Sequence, residues 1–585
     1  MKKLVALLAV IFLFLASFLV VSLIDWDDPV MTEPTAPSTQ APTAEATSEP
    51  TAAPTAEPVT EPVTEPVTEP TAEPTTEPPA EPPFEAGFTA NSDPANWNHL
   101  WEIMAGGELV EHYQREDPIF FEDGNYFALP GIASFRGGNY RSDAAYGTAD
   151  IVNGTMESIW KMSVGYLYES EWTGCGWTGQ PLVVQWDQQT KQHMNLYEPK
   201  KAKEGLVEVI YAKMDGWVHF FDIEDGSATR DPLFLGMEFK GSGALDPRGY
   251  PILYVGSGLD TNGNYQNMYL VNLLDCTVME KISCFDAFTY RWWFGMDSSP
   301  LVDADTDTII WPCESGILYT FKLNTQYDPV AGTLSMDPEE PVKTRYRHDY
   351  RNIEDRHLGY ESSAVIVENY AYIGDNAGML HCVDLNTMEL VWAQDLLDDI
   401  NSTPVFDWGE DGNGYLYLAP SLDYSGGGHK NTLPICKIDA RTGEIIWKHE
   451  MECVTEDGVS GGALASPLLG RPGTDIENLL IYSIGRSPGA WNGQVVALDK
   501  ETGKVVWQFQ SHSYIWSSPL ALYTESGKSY IFQADQMGYC YLLDGTTGQL
   551  LDSLKLGNPV EASPVAFGDK VVLGTRYGVQ LFDIN

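Results

Sequence analysis

Asp439-Ala-Arg-Thr-Gly443-Glu-Ile-Ile-Trp447 returns as Asp499-Lys-Glu-Thr-Gly503-Lys-Val-Val-Trp507. Upstream, Asp384-Leu-Asn-Thr-Met-Glu-Leu-Val-Trp392 keeps the same Asp-to-Trp spacing. Asp544-Gly-Thr-Thr-Gly548-Gln-Leu-Leu-Asp552 keeps the turn and loses the Trp, and Asp222-Ile-Glu-Asp-Gly226 is a degenerate copy. The residue types describe a hairpin. One strand ends at an Asp whose side chain can bond the turn amides, Gly supplies φ > 0, and a second strand leads to a Trp with a large apolar body and one donor.

A second pattern, a small hydroxyl residue, Pro and an apolar residue, precedes each copy. It stands at Ser299-Pro300-Leu301, Thr403-Pro404-Val405, Ser466-Pro467-Leu468, Ser518-Pro519-Leu520 and Ser563-Pro564-Val565. Weaker copies are Gln180-Pro181-Leu182, Gly243-Ala244-Leu245 and Ser363-Ala364-Val365. Pro suits the first residue of a strand. Each unit therefore reads as four strands: an innermost strand after the Pro, two central strands joined at a Gly turn, and an outer strand ending near the Trp. Four short strands at this period predict an all-β, eight-bladed β-propeller over residues 158–585, or seven blades if the weak second unit is reassigned. The last unit lacks an outer strand, and Ser158-Ile159-Trp160-Lys161-Met162-Ser163-Val164 is expected to supply it and close the ring.

Residues 88–157 read as an extension docked on the propeller. Trp97 to Tyr113 is expected to form one short helix, Phe135 to Arg141 a docked loop, and Tyr327 to His357 a long insertion between blades 3 and 4. Residues 29–87 place Pro at every fourth position from Pro54 to Pro78, with Thr and Glu between. Proline at that spacing forbids helix and sheet, so the segment reads as a disordered, extended tether. Residues 1–28 begin with Lys2-Lys3 and continue uncharged from Leu4 to Ile24, long enough to span a bilayer. The expectation is an uncleaved single-pass anchor with the propeller extracellular, or a secreted propeller if the segment is cleaved.

The formal charge of −49 excludes a nucleic-acid partner, because a phosphate backbone needs a basic face. It also confines membrane contact to the anchor. The eight Cys include no adjacent pair; Cys276 and Cys284 are the best candidate bridge, and few or no disulfides are expected overall.

The Asp-x-x-Thr-Gly-x-x-x-Trp repeat resembles the pyrroloquinoline-quinone-like (PQQ-like) repeat family, over roughly Ser134 to Asn585. That family contains quinoprotein alcohol dehydrogenases and non-catalytic scaffolds such as the propeller lipoprotein of the Bam complex. The resemblance implies the fold and leaves the function open.

In a propeller, the residues just before the innermost strands ring the channel on one face. Three before each Pro position stand Thr178, Gly241, Asp297, Glu361, Asn401, Leu464, Trp516 and Glu561. Asp297, Glu361, Asn401 and Glu561 are the candidate ligands for a hard cation such as Ca²⁺, each also able to serve its own blade. The Gly turns of the same face add Lys213, Glu314, Asp375, Arg486, Asp535 and Arg576, with Trp177, Trp516 and Tyr140 nearby. Such a funnel suits a sugar or peptide, and equally an ordinary polar surface. Arg576 is a ready salt-bridge partner for Glu561. Under the resemblance, Trp516, Arg486 and Arg576 would contact a PQQ cofactor. The adjacent-cysteine disulfide of many quinoprotein alcohol dehydrogenases and a Cys-x-x-Cys-His haem motif are both missing. Asp303-Ala-Asp305-Thr-Asp307 imitates a calcium loop but has Thr308 where Gly is required, and reads as a polar hairpin tip. The balance of features favours a monomeric, non-catalytic module that binds a protein, peptide or glycan at the cell surface; the alternative is a PQQ- and Ca²⁺-dependent dehydrogenase.

Overall fold

A computed structural model describes residues 84–122, 126–165, 174–176, 179–258, 265–349, 357–423, 430–455 and 460–585. The expected anchor and almost all of the tether lie outside these residues, as do Trp177 and Thr178. Helix among the described residues is confined to Pro94–Trp97, Gln188–His193 and Glu198–Ala202. None of these helices is long and apolar enough to cross a membrane.

Among the described residues the strands form eight blades, antiparallel except where Ala145–Tyr146 adds parallel to the innermost strand of blade 8. Blade 4 shows the plain unit: Val365–Val367, Tyr370–Gly374, Met379–Asp384 and Glu389–Asp395, in that order. Blade 8 closes the ring as expected. Met156–Ser163 pairs with the last strand, Gly578–Ile584, and Trp160 lies opposite Leu581. Apolar cores sit between neighbouring blades; Val405, Tyr417, Leu433, Tyr482 and Val496 share one cluster between blades 5 and 6.

Both sequence patterns turn out to be joints between blades. The Trp of one blade serves the turn of the next. Trp392 Nε1 donates to Ala440 O at 3.1 Å, Trp447 to Lys500 O at 2.9 Å, Trp507 to Gly545 O at 3.0 Å and Trp160 to Ile223 O at 3.1 Å. Each acceptor directly follows the turn Asp. The indole also lies against the turn Gly of the next blade: a Cβ on Gly443 or Gly503, at φ +72° and +66°, would collide with Trp392 or Trp447. Within the turn, Asp439 Oδ1 accepts from the amides of Arg441 and Thr442 at 2.9 Å.

The hydroxyl before each Pro joins the inner strands. Ser299 N donates to Ser363 Oγ, Ser363 N to Thr403 Oγ1, Thr403 N to Ser466 Oγ, Ser466 N to Ser518 Oγ and Ser518 N to Ser563 Oγ, at 2.9 to 3.2 Å. Amides that a four-stranded blade leaves unpaired at the channel are thus satisfied by the neighbour.

The loop Phe135 to Arg141 plugs the channel rather than docking on its surface. Arg136 donates to Pro519 O at 2.7 Å and Pro467 O at 2.8 Å. Arg141 donates to Ala364 O, Phe135 O and Ser299 O at 2.8 to 2.9 Å. Both side chains are fully buried, and desolvation lowers each guanidinium to about 10.

Three expectations are corrected. Trp97 to Tyr113 contains strands, not a helix: Leu100–Ala105 pairs with Val342–Arg347 and Glu108–Val110 extends the edge, making blade 3 six-stranded. The partner strand lies more than two hundred residues away, and a reading of local periodicity does not register it. Tyr327 to His357 is only partly an insertion. It begins as a small hairpin, Gln326–Asp328 with Thr333–Ser335, and then supplies Val342–Arg347 as the fourth strand of blade 3. Cys276 and Cys284 are free thiols at opposite ends of the extended strand Thr277–Ser283, too far apart to bridge. The remaining six Cys are also free and buried.

Candidate functional site

The residues before the innermost strands do meet at the channel mouth. Gly241, Asp297, Glu361, Asn401 and Leu464 line one small space there, with Phe135 of the plug beneath. Oxygens of Asp297, Glu314 and Glu361 lie within 4.8 Å of one another. Asp297 and Glu361 come from the predicted cation set, Asn401 lines the same space, and Glu314, at the Gly turn of blade 3, joins them.

Asn401 and Glu561 also have partners of their own. Asn401 Nδ2 donates to Asp399 Oδ2 at 2.7 Å and Ser421 Oγ at 3.1 Å. Glu561 accepts from Arg576 Nη2 at 2.6 Å and Nε at 3.0 Å, the pair expected from the sequence. Asp375 and Asp535 cap their own turns, accepting from the amides of Ala377 and Met379 and of Met537 and Tyr539. Tyr140 does not belong to this site. Its phenol accepts from Trp408 Nε1 and its ring packs on Phe406, farther along the innermost strand of blade 5 and away from the channel mouth.

Two cations of this chain stand among the carboxylates. Lys240 Nζ is bound to Asp297 and lies 3.6 Å from Glu314 Oε1. Arg291 Nη2 lies 3.6 Å from Glu314 Oε2 and 3.5 Å from Glu361 Oε1. Burial alone would lower Lys240, but Asp297, Glu314 and Glu361 outweigh it and raise its pKa. Desolvation, then the neighbouring Asp297, pushes Glu314 well above the usual carboxylate range; desolvation also raises Asp297 and Asp399. Oxygens of Glu314 and Asp297 lie within 4.8 Å of one another, and the Asp297 charge adds to burial in disfavouring ionisation of Glu314. Gly295 and Gly359 make this packing possible: a Cβ on either would collide with Glu314 or Arg291.

Sequence reading missed Lys240, Arg291 and Asp399. Lys240 stands one residue before Gly241, so a search one position wider would have found it. Arg291 reaches in from the Phe285 to Asp297 connection and has no such signal.

The residues assigned to a PQQ cofactor lie around Tyr514. Trp516 is 6% exposed and packs with Tyr514 and Leu464. Arg486 lies over the Tyr514 ring at 4.7 Å and donates to Ala490 O at 3.0 Å. Arg576 is committed to Glu561. The space enclosed at the carboxylates is about 20 Å³, room for one water. Trp516, Arg486 and Arg576 do not line that space, and Lys240 stands beside its carboxylates.

A family model described as outer membrane protein assembly factor BamB matches residues 491–585, from the end of blade 6 through blade 8. The assembly factor BamB of Moranella endobia (strain PCIT) is 24% identical over 222 residues, 36% of this chain and 46% of the relative. The dehydrogenase subunit of the quinone alcohol dehydrogenase of Komagataeibacter europaeus is 26% identical over 166 residues, 26% of this chain and 20% of the relative. The matches span less than half of either relative. A solved quinohemoprotein alcohol dehydrogenase from Pseudomonas putida HK5 is 12% identical with a TM-score of 0.53, covering 80% of this chain and 83% of that one. At that identity the likeness speaks for the fold alone. In repeat and in architecture the chain is similar to the PQQ-like β-propellers, among them both the assembly factors and the quinoprotein dehydrogenases.

Proposed function

We propose that this propeller is a non-catalytic binding or scaffold module, presenting its channel-mouth face to a protein, peptide or glycan partner at the cell surface. The observation that carries the reading is Lys240 seated between Asp297 and Glu314, where a quinone-dependent enzyme would need an exchangeable cation. A tethered ammonium neutralises the carboxylates permanently and supplies no electron sink. The similarity to assembly factors supports a protein partner. Residues 1–28 and 29–87 serve as anchor and spacer in this reading.

The test is the thermal midpoint of the full chain after chelation, with Ca²⁺, and with Ca²⁺ plus PQQ. Ligand at about a hundred times its dissociation constant would stabilise the fold by about 2.7 kcal/mol. The expected result is no shift and no oxidation of alcohols. A shift that requires both, with turnover, would establish the dehydrogenase reading, which the convergence of Asp297, Glu314 and Glu361 favours.

A further inference from the structure

The connection from Phe285 to Asp297 crosses the channel-mouth face between blades 2 and 3. Its residues Tyr290, Arg291, Trp292 and Trp293 line a cavity of about 430 Å³, separate from the small space at the carboxylates. Trp292 is 66% and Trp293 37% exposed. Tyr265 and Phe285, both exposed, extend the surface: their rings are 4.6 Å apart, and Phe285 lies 5.8 Å from Trp292. Single exposed apolar residues are ordinary, but a contiguous aromatic group beside a cavity marks a binding surface. At its inner end, Arg291 reaches Glu361 and Glu314.

We propose that this shelf binds the pyranose rings of a neutral glycan. The proposal rests on the binding-module reading and narrows it. A hexopyranose with equatorial hydroxyls has an apolar C–H face and a polar rim. The indoles offer flat apolar faces with N–H donors at their edges, and the Arg291–Glu361 pair offers charged hydrogen-bonding groups beside them. The cavity has the size of a small-ligand site. Charge argues for a neutral ligand: the chain carries −49, and Asp297, Glu314 and Glu361 stand at the inner end of the shelf, so an anionic polymer or lipid is repelled.

The test is titration of the full chain with cellohexaose and with chitohexaose, followed by tryptophan fluorescence and by calorimetry. Saturable binding of at least one sugar is expected. Trp292→Ala and Trp293→Ala should each weaken it by about tenfold or more, judged against the energy of an aromatic contact. Trp491→Ala, which removes an indole 72% exposed on blade 6, should leave it unchanged. Absence of binding of both sugars up to about 10 mM, or equal binding by the Trp292 and Trp293 variants, would overturn the glycan assignment. Alcohol oxidation with Ca²⁺ and PQQ would instead overturn the binding-module reading, so the two failures are distinguishable.

Discussion

Blades 4 to 7 and blades 1 to 4 solve the same joining problem with different chemistry. In the first arc, Trp392, Trp447 and Trp507 each donate to the carbonyl after the turn Asp of the next blade. In the second arc, that carbonyl is reached by arginine at the turns of blades 2 and 4, while Leu323 O of blade 3 accepts from the Asp337 amide. Arg230 Nη1 donates to Leu273 O, which follows Asn272 at the turn of blade 2. Arg115, from the N-terminal extension, donates through Nε to Leu385 O, which follows Asp384 at the turn of blade 4. A tryptophan brings its own apolar surface to the joint. An arginine brings a charge, and the charge needs a partner or a carbonyl cage. Arg230 accordingly forms a buried pair with Glu208, at 2.5 and 3.0 Å. The charged channel mouth, with Lys240, Arg291, Asp297, Glu314 and Glu361, belongs to the arginine arc, whereas the tryptophan arc presents Leu464 and Trp516 at the same level. The lesson is that the joint is a geometric requirement of the ring, and any donor long enough can meet it if its remaining groups are satisfied.

The largest effect should come from Trp392→Ala. Trp392 is fully buried, and removing it should cost about 3–5 kcal/mol in a denaturant titration. Trp447→Ala should cost less, because Trp447 is only partly buried; equal losses would mean that the hydrogen bond and not burial makes the joint. Arg230→Met comes next, at about 3–4 kcal/mol, since it strands a buried Glu208. Adding Glu208→Gln should recover most of that loss. If it does not, the arginine joint is held by shape and not by charge.

The third prediction uses pH to attack the arginine arc alone. His99, at the start of the strand Leu100–Ala105, faces His381 Nε2 at 3.1 Å, the His348 ring at 4.9 Å, Pro94 O and Asp375. Burial, then the charge of His348, lowers His99 from 6.5 to about 4. Burial lowers His381 well below its usual range. A folded-state pKa below the unfolded one means stability that is complete above pH 6.5 and lost as pH falls toward 4. For His99 the loss is about 3 kcal/mol. Amide exchange in Leu100–Ala105 should therefore accelerate on acidification while the strand Leu550–Lys555 of blade 7, which contains no His, holds. His99→Gln should flatten the response, and identical profiles in variant and wild type would refute it.

The smallest effect is expected from Glu314→Gln. The raised pKa of Glu314 means that stability is lost as pH rises above the usual carboxylate range, because the folded state must then give up a proton it holds. The amide variant should be within about 1 kcal/mol of wild type at pH 5 and relatively more stable at pH 8, in thermal scans at the two pH values. The opposite sign would mean that Glu314 is ionised and needed as the counter-ion of Lys240.

Much of this was legible because the repeats are local. Asp439 caps its own turn two and three residues away, and Gly443 sits at φ +72°, so composition and spacing announce both. The helix expected over Trp97 to Tyr113 failed because that stretch pairs with Val342–Arg347, more than two hundred residues away in the chain, and periodicity within one segment carries no record of such a partner. Arg136 and Arg141 read as loop polarity and prove to be the channel plug, since a charged side chain gives no sign in sequence that carbonyls of four blades will surround it.

By itself, the sequence determined the blade, its turns, the number of units and the strand that closes the ring, because each depends on residues a few positions apart or on one repeated pattern. Only the tertiary structure decided that the Trp and the hydroxyl of each unit serve the neighbouring blade, and that Glu314, Lys240 and Arg291 join Asp297 and Glu361 at the channel mouth. Both follow from ring closure. It brings together side chains from different blades within a few ångströms, where Coulomb attraction and desolvation select partners that sequence distance leaves unspecified.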